Sequence, residues 1–250
     1  MNEANDNTPK QADQFHSTRW SVVLKAVQDP STPIAREALA TLCQTYWYPL
    51  FAYVRRQGVD FTLAQDLTQG FFASLLEGTS LKTIDPEKGR FRSFLLAACK
   101  KYVASQRRAN LAQKRGGGQS VLSLDFAAAE ERYQLEPTHE ITAEQLFERN
   151  WAVTLLNGVV DDLRDEYNAA GKAALFDALK DHLQGENQLS YPKLSERLGM
   201  SESAMKSAAH KLRQRFRERL NQRISDTVVS EDDVVSEIQA LFRNLNTNSR

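Results

Sequence analysis

Apolar residues in this chain recur every three or four positions almost from end to end, and the alternation expected of a half-buried strand is nearly absent, so the pattern predicts an all-α protein. Residues 1–17 are polar and aperiodic and predict a disordered lead. Ser17 or Thr18 can cap a short helix running to Val27. Thr32, with Pro33 at the first helical position, opens a longer helix that places Leu39, Leu42, Tyr46, Leu50 and Tyr53 on one side; Pro49 is expected to bend or interrupt it. Thr62 and Gln65 have the spacing of a capping box, and Leu63, Leu67, Phe71 and Leu75 follow as an i, i+4 ladder widened by Phe72 and Leu76. After turn signals at Gly78, Asp85, Pro86 and Gly89, one stripe of Phe91, Phe94, Leu95, Ala98 and Tyr102 predicts the next helix.

Three consecutive glycines, Gly116 to Gly118, end that helix and begin a linker, 116–140. Its acidic part, to about His139, has weak order signals and is expected to form a tether or a strand-like ribbon. Thr142 and Gln145 make a second capping box, from which Leu146, Phe147, Trp151, Leu155, Val159 and Leu163 run to about Gly171. A further helix spans roughly Lys172 to Leu183 and stops by Gly185. In Tyr191 to Arg219, a short helix with Leu194 and Leu198 ends at Gly199. Ser201 caps a second helix that turns Met205, Ala209, Leu212 and Phe216 inward. Ser195 and Ala208 are small enough to let the two cross closely at a steep angle, which is the helix-turn-helix plan. Ser230 and Asp233 cap a final helix with an apolar stripe of Val234, Val235, Ile238, Leu241, Phe242 and Leu245, expected to dock on the chain's own last domain.

Charge adds what periodicity cannot. The chain balances 32 basic against 32 acidic residues, yet they are sorted. Residues 19–118 sum to +8 and 193–223 to +6, whereas 119–192 sum to −9 and both ends are acidic. Lys88 to Arg115 holds nine Lys or Arg and no Asp or Glu. There Arg90, Arg92, Lys100, Lys101, Arg107 and Arg108 alternate with aromatics, a combination suited to a polyanion whose bases can stack, DNA or RNA. The second helix of the helix-turn-helix offers Ser203, Lys206, Ser207, His210, Lys211, Arg213 and Arg215, short polar groups for base edges and long cations for phosphates. Two basic modules held apart by an acidic connector suggest two contacts on one nucleic acid. Asp66, Thr68 and Gln69 form a compact polar patch that the buried ladder of their helix leaves unexplained.

Catalytic chemistry finds little footing. Cys43 and Cys99 lie in apolar helical patterns without a nearby His and are expected to be buried thiols in a reducing cytosol. The triple glycine lacks the preceding strand and following Gly-Lys-Ser/Thr of a phosphate loop, since Gln119 and Ser120 come next. His16, His139, His182 and His210 are scattered. Asp161, Asp162, Asp165 and Glu166 form the only dense acidic group and are expected on the solvent face of a helix. These features predict a protein that is not an enzyme, with no cofactor and no metal. The longest uninterrupted apolar run, Phe94 to Cys99, is too short to cross a bilayer, and the polar start lacks a signal-peptide core, so a soluble cytoplasmic protein without a membrane partner is expected.

Taken in order, the TRW, YWYPL, Asp66-Leu67-Thr68-Gln69-Gly70-Phe71-Phe72, Lys88-Gly89-Arg90-Phe91-Arg92-Ser93-Phe94-Leu95 and KRGGG runs, followed by a terminal helix-turn-helix, resemble a bacterial RNA polymerase sigma factor. The resemblance covers about residues 18–222 and is greatest to the extracytoplasmic-function group, in particular its planctomycete-type members. It implies a sigma-2-like domain over 18–115, the linker 116–140, a sigma-4-like domain over 141–222 and a C-terminal amphipathic helix extension over 223–250. By resemblance, Asp66, Leu67, Thr68, Gln69, Phe71 and Phe72 would dock on core polymerase. Arg90, Phe91, Arg92, Phe94, Lys100, Lys101, Tyr102, Arg107 and Arg108 would engage the minus-10 promoter element, where opened bases are held. Ser203, Lys206, Ser207, His210, Lys211, Arg213 and Arg215 would enter the major groove at the minus-35 element. Core polymerase and promoter DNA are the implied partners of a chain monomeric when free, and the resemblance admits an anti-sigma protein as a further one. Gln65, Phe94, Ser105 and the Ser203-Ala204 pair depart from residues common in that group, near the surfaces that read promoter sequence. Two rivals remain: a stand-alone helix-turn-helix regulator, which needs a dimer and a palindromic site, and a nucleic-acid enzyme, which needs a nucleophile or a metal-binding carboxylate cluster.

Overall fold

The computed structural model describes residues 33–76, 90–112, 124–136, 141–183, 190–225, 227–228 and 230–246. Among the described residues there are helices and no strand. They are α1 (Pro33–Arg56), α2 (Phe61–Leu76), α3 (Phe91–Ala112), α4 (Phe126–Gln134), α5 (Ala143–Ala169) and α6 (Ala173–Leu179), which continues into a 3-10 turn (Lys180–Leu183). Then come α7 (Tyr191–Leu198), α8 (Glu202–Ser225) and α9 (Glu231–Asn246). The all-α expectation holds. The helix expected between Ser17 and Val27 lies outside the described residues, as do the glycine run and most of the expected linker.

The composition of α1 sets the architecture of the N-terminal half. Tyr46, Tyr48, Leu50, Phe51, Ala52, Tyr53 and Val54 are all buried, so its C-terminal half is enclosed on every side rather than on one stripe. It gains that enclosure from α2, α3, α4 and α5, which pack around it. Pro49 removes one backbone donor, yet the helix continues through it, contrary to the expected interruption. Edge-on aromatic contacts fill the space between helices: Tyr46 with Phe91 at 5.4 Å, and Phe126 with both Trp47 at 5.5 Å and Phe51 at 5.4 Å. Each fully buried Phe or Leu of this kind contributes about 2 kcal/mol by removal from water.

Two sequence expectations fail here for identifiable reasons. Helix α2 begins one residue before Thr62, because the Asp60 carboxylate accepts from the Leu63 backbone N–H at 2.8 Å and caps the helix itself. Gly58, with φ +79°, makes the left-handed turn that brings Asp60 into place. The acidic stretch expected to be a tether instead contains α4. Asp125 caps it by accepting from Ala128 N–H, and Phe126 and Ala129 are buried against α1. Two carboxylates of this stretch are partnered: Glu130 accepts two bonds from the Arg55 guanidinium, at 2.9 and 2.6 Å, and Glu136 accepts from Tyr48 at 3.0 Å and Arg149 at 3.2 Å. Arg132 lies over the Tyr48 ring, 3.7 Å from its centroid.

Helix α5 is the wall shared by both halves. The Thr142–Gln145 capping box forms as expected, with both reciprocal bonds present. Along its first half Glu144 pairs with Lys100 of α3, Asn150 accepts from Arg132 of α4, and Trp151 is buried beside α1 and α3. Along its second half Asp162 takes both bonds of the Arg223 guanidinium at 2.7 Å, while Glu166 accepts from Arg215 and Arg219 of α8. Asp162 and Glu166 were expected to face solvent; the arginines of α8 draw them into the helix–helix contact. One contiguous set of buried residues therefore runs from α1 through α5 to α8 and α9.

Candidate nucleic-acid and partner interfaces

Helices α7 and α8 and the turn between them form as the sequence indicates. Ser190 precedes α7, Pro192 sits in its first turn, and Gly199 ends it in the left-handed region at φ +63°, where Met200 N–H returns to Ser195 C=O at 3.0 Å. The Ser201 hydroxyl accepts from Ala204 N–H at 3.2 Å and caps α8. Leu194, Met205, Ala209 and Leu212 are buried at the crossing, and Ser195 can be buried there because its hydroxyl donates to the Tyr191 carbonyl at 2.8 Å. Tyr191 ties three elements together. Its hydroxyl accepts from Arg213 at 2.8 Å, and its ring lies 5.1 Å from that of His182 in the 3-10 turn.

Of the seven residues expected to read DNA from this helix, Ser203, Lys206, Ser207, His210 and Lys211 are exposed and lie on one face of α8. Lys206 pairs with Glu202 one turn back at 2.6 Å, which raises its pKa and keeps it protonated. Two do not join this face. Arg213 is half-buried and bonded to Tyr191, and Arg215 is held by Glu166 at 2.8 Å and Glu218 at 3.0 Å. The bond to Glu166 is the larger reason that the Arg215 pKa rises, and the same bond lowers that of Glu166. Arg215 thus fastens α8 to α5.

The basic helix α3 divides into two parts. In its second half Lys100, Lys101, Arg107 and Arg108 are exposed, and Lys100, Arg107 and Arg108 line a cleft of about 360 Å³ with Tyr53, Gln57 and Val103. Arg107 donates to the Gln57 carbonyl at 3.1 Å, Lys100 lies 5.8 Å from the Tyr53 ring centroid, and burial pushes the Tyr53 phenol up to about 12, so it stays neutral. Tyr102 is half-buried with its ring edge-on to Phe71 at 5.9 Å. Gly70 makes room for it, since a Cβ there would overlap the Tyr102 hydroxyl. Phe91 is buried in the core, Phe94 packs beside it, and burial pushes the Cys99 thiol up to about 12, away from its reactive form.

Around the start of α3 the expected assignment fails. Arg92 is 5% exposed, in a cage formed by the Glu237 carboxylate (2.7 to 3.1 Å, from Nε and Nη2), Glu148, and the Trp151 ring 4.3 Å below it. Arg90 reaches the same Glu237 at 3.2 Å and donates to the Ser236 hydroxyl at 2.8 Å. Both arginines were expected to face DNA; in this conformation α9 and α5 occupy their donors. A distance of 145 residues in sequence hides that pairing from any local pattern.

The patch on α2 also resolves into surface and core. Asp66 is exposed and Gln69 half-exposed, but Leu67, Phe71 and Phe72 are core residues. Thr68 is 1% exposed, its hydroxyl satisfied by the Ala64 carbonyl at 2.7 Å, so it does not belong to the polar patch. Among the described residues no three His, Cys, Asp or Glu side chains converge as metal ligands, and no helix is long and apolar enough to cross a membrane. No family model, no curated protein and no solved structure matches the chain.

Proposed function

We propose that this chain is a promoter-specificity subunit of bacterial RNA polymerase, a sigma factor of extracytoplasmic-function type. The observation that carries the proposal is the exposed face of α8, where Ser203, Lys206, Ser207, His210 and Lys211 project from a helix pair whose crossing buries Leu194, Met205, Ala209 and Leu212. A second exposed cationic surface, the Lys101–Arg108 half of α3, and the Asp66–Gln69 edge of α2 supply what a stand-alone reader of duplex DNA would not need. In this reading α8 enters the major groove at one element, the basic cleft on α3 holds opened bases at the other, and Asp66 with Gln69 meets core polymerase. The protein works in the cytoplasm as a monomer until it joins polymerase. It has no catalytic centre of its own.

The test is transcription in vitro with purified core polymerase and a pool of genomic promoters. Promoter-dependent RNA that appears only with the protein supports the reading; none across the pool refutes it. The rival, a stand-alone regulator, draws support from the burial of Arg92, which leaves α8 as the most complete DNA-facing surface of this conformation. Sizing the free protein and footprinting it without polymerase separates the two, because the rival requires a dimer on a symmetric site.

A further inference from the structure

We infer that α9 is an internal latch: its Glu237 carboxylate occupies the Arg90 and Arg92 guanidiniums that would otherwise be available to nucleic-acid phosphates, so the closed chain binds single-stranded DNA weakly until α9 is displaced. The inference rests on the sigma-factor reading of α3 and adds a mode of control to it.

Three observations carry it. Glu237 stands in the apolar stripe of α9, between Val234 and Leu241, at a position where an apolar residue would complete the packing on α5 and α8. It is nonetheless a carboxylate, 1% exposed, and burying one is costly unless its charge is matched. The match is made by the two arginines at the start of the most basic segment of the chain, and not by the cations of α8, which are nearer in sequence. Guanidinium forks recognise carboxylate and phosphate through the same paired donors, so Glu237 can hold the place of a phosphate group. Second, the cage is closed from α5 as well, by Glu148, whose carboxylate also accepts from Asn244 of α9 at 3.2 Å. Displacing α9 therefore removes Glu237, Ser236 and the Glu148–Asn244 bond together, frees Arg90, and leaves Arg92 with only Glu148 and the Trp151 ring of α5. Third, α9 is incompletely seated on its other side. Val235 is 58% and Phe242 50% exposed, and Phe242 and Ile238 border an open groove with Leu156, Val160 and Phe216. Leaving costs the burial of Ala240 and Leu241 against α5 and α8, a cost that the part-exposed edge of α9 lowers.

The experiment uses the full chain, as wild type, Glu237→Gln and Leu241→Asp; the last loosens α9 through its buried apolar anchor and leaves Arg90 and Arg92 in the chain. The probe is a fluorescent single-stranded DNA of about 12 nucleotides and mixed sequence, within the usual footprint of such sites. Anisotropy reads binding as a function of salt, and amide hydrogen exchange reads the protection of α9. Both variants should bind about tenfold tighter than wild type, a gain of about 1.4 kcal/mol. The salt slope should steepen by about 1.4, for two added phosphate contacts. Adding Arg92→Ala to Leu241→Asp should remove most of the gain. Loss of α9 protection with no gain in affinity overturns the latch, as does a gain that survives Arg92→Ala. Running the same variants in the transcription assay separates the two readings. Promoter-dependent RNA together with equal oligonucleotide binding by every form strikes out the latch alone. Neither RNA nor binding from any form strikes out both.

Discussion

Replacing Arg92 by Met keeps much of the side chain's volume and removes its charge, which leaves Glu237 at 1% exposure with only Arg90, itself 29% exposed, as a cationic partner. Stranding one member of a buried pair costs about 3–5 kcal/mol, and the remaining ion pair with Arg90 reduces that to about 2–3 kcal/mol. Glu237→Met alone is milder, about 1–2 kcal/mol, because Arg92 retains Glu148 and the Trp151 ring face. The double variant, an apolar pair in an apolar stripe, should return to within about 1 kcal/mol of wild type, since replacing a complete buried ion pair is often neutral. The cycle should therefore show a favourable coupling of about 3–4 kcal/mol, at or just above the upper end for residues in contact. Urea denaturation followed by far-UV circular dichroism measures all four proteins on one scale. A stability for Arg92→Met within 0.5 kcal/mol of wild type, roughly the size of a neutral surface change, would show that the cage does not hold in solution.

Gly70→Ala should destabilise by about 1–3 kcal/mol, as overpacking does, because the added methyl overlaps the Tyr102 hydroxyl; Tyr102→Phe in the same chain should recover most of the loss in the same denaturation assay. The Arg55 bonds hold the Glu130 carboxyl below its ordinary value of 4.5, so its contribution is present in full above that pH and is lost as pH falls through the lower folded value. A melting-temperature profile should accordingly fall on acidification below about pH 4.5, less steeply in Glu130→Gln; parallel profiles would contradict the pairing. On α8, Lys211→Ala should reduce the salt slope of duplex binding by about 0.9, whereas His210→Ala should relax preference at one base position; a selection on randomised duplexes, run at several salt concentrations, distinguishes the two effects. An unchanged slope for Lys211→Ala would remove it from the phosphate-contacting set.

What the sequence disclosed and what it concealed divide along a physical line. Features settled within one or two turns of chain were legible: the Thr142–Gln145 cap, the Gly199 turn, the Ser201 cap and the inward face of α8 all depend on neighbours close in sequence. The Asp60 cap was missed because Thr62, two residues on, offered a plausible capping box of its own. Helix α4 escaped notice because its apolar positions are few and its order signals weak, although Asp125 before FAAAEERYQ is a cap before good helix formers. Its Glu130 is spent on Arg55, and Glu136 just beyond it on Tyr48 and Arg149, none of them nearby in sequence except the last. The same blindness put Asp162 and Glu166 in solvent and Arg92 on DNA. A charged side chain announces that it needs a partner, but a partner on a distant helix leaves no periodic trace.

Helix α5, at about 40 Å for its 27 residues, serves one half of the molecule along its first turns and the other along its last. Heat or denaturant that strips either half exposes apolar flank on the same rod and weakens the seat of the other. The two halves packed on α5 should therefore melt in a single transition, and a partner able to pry them apart must offer α5 a replacement surface as it does so.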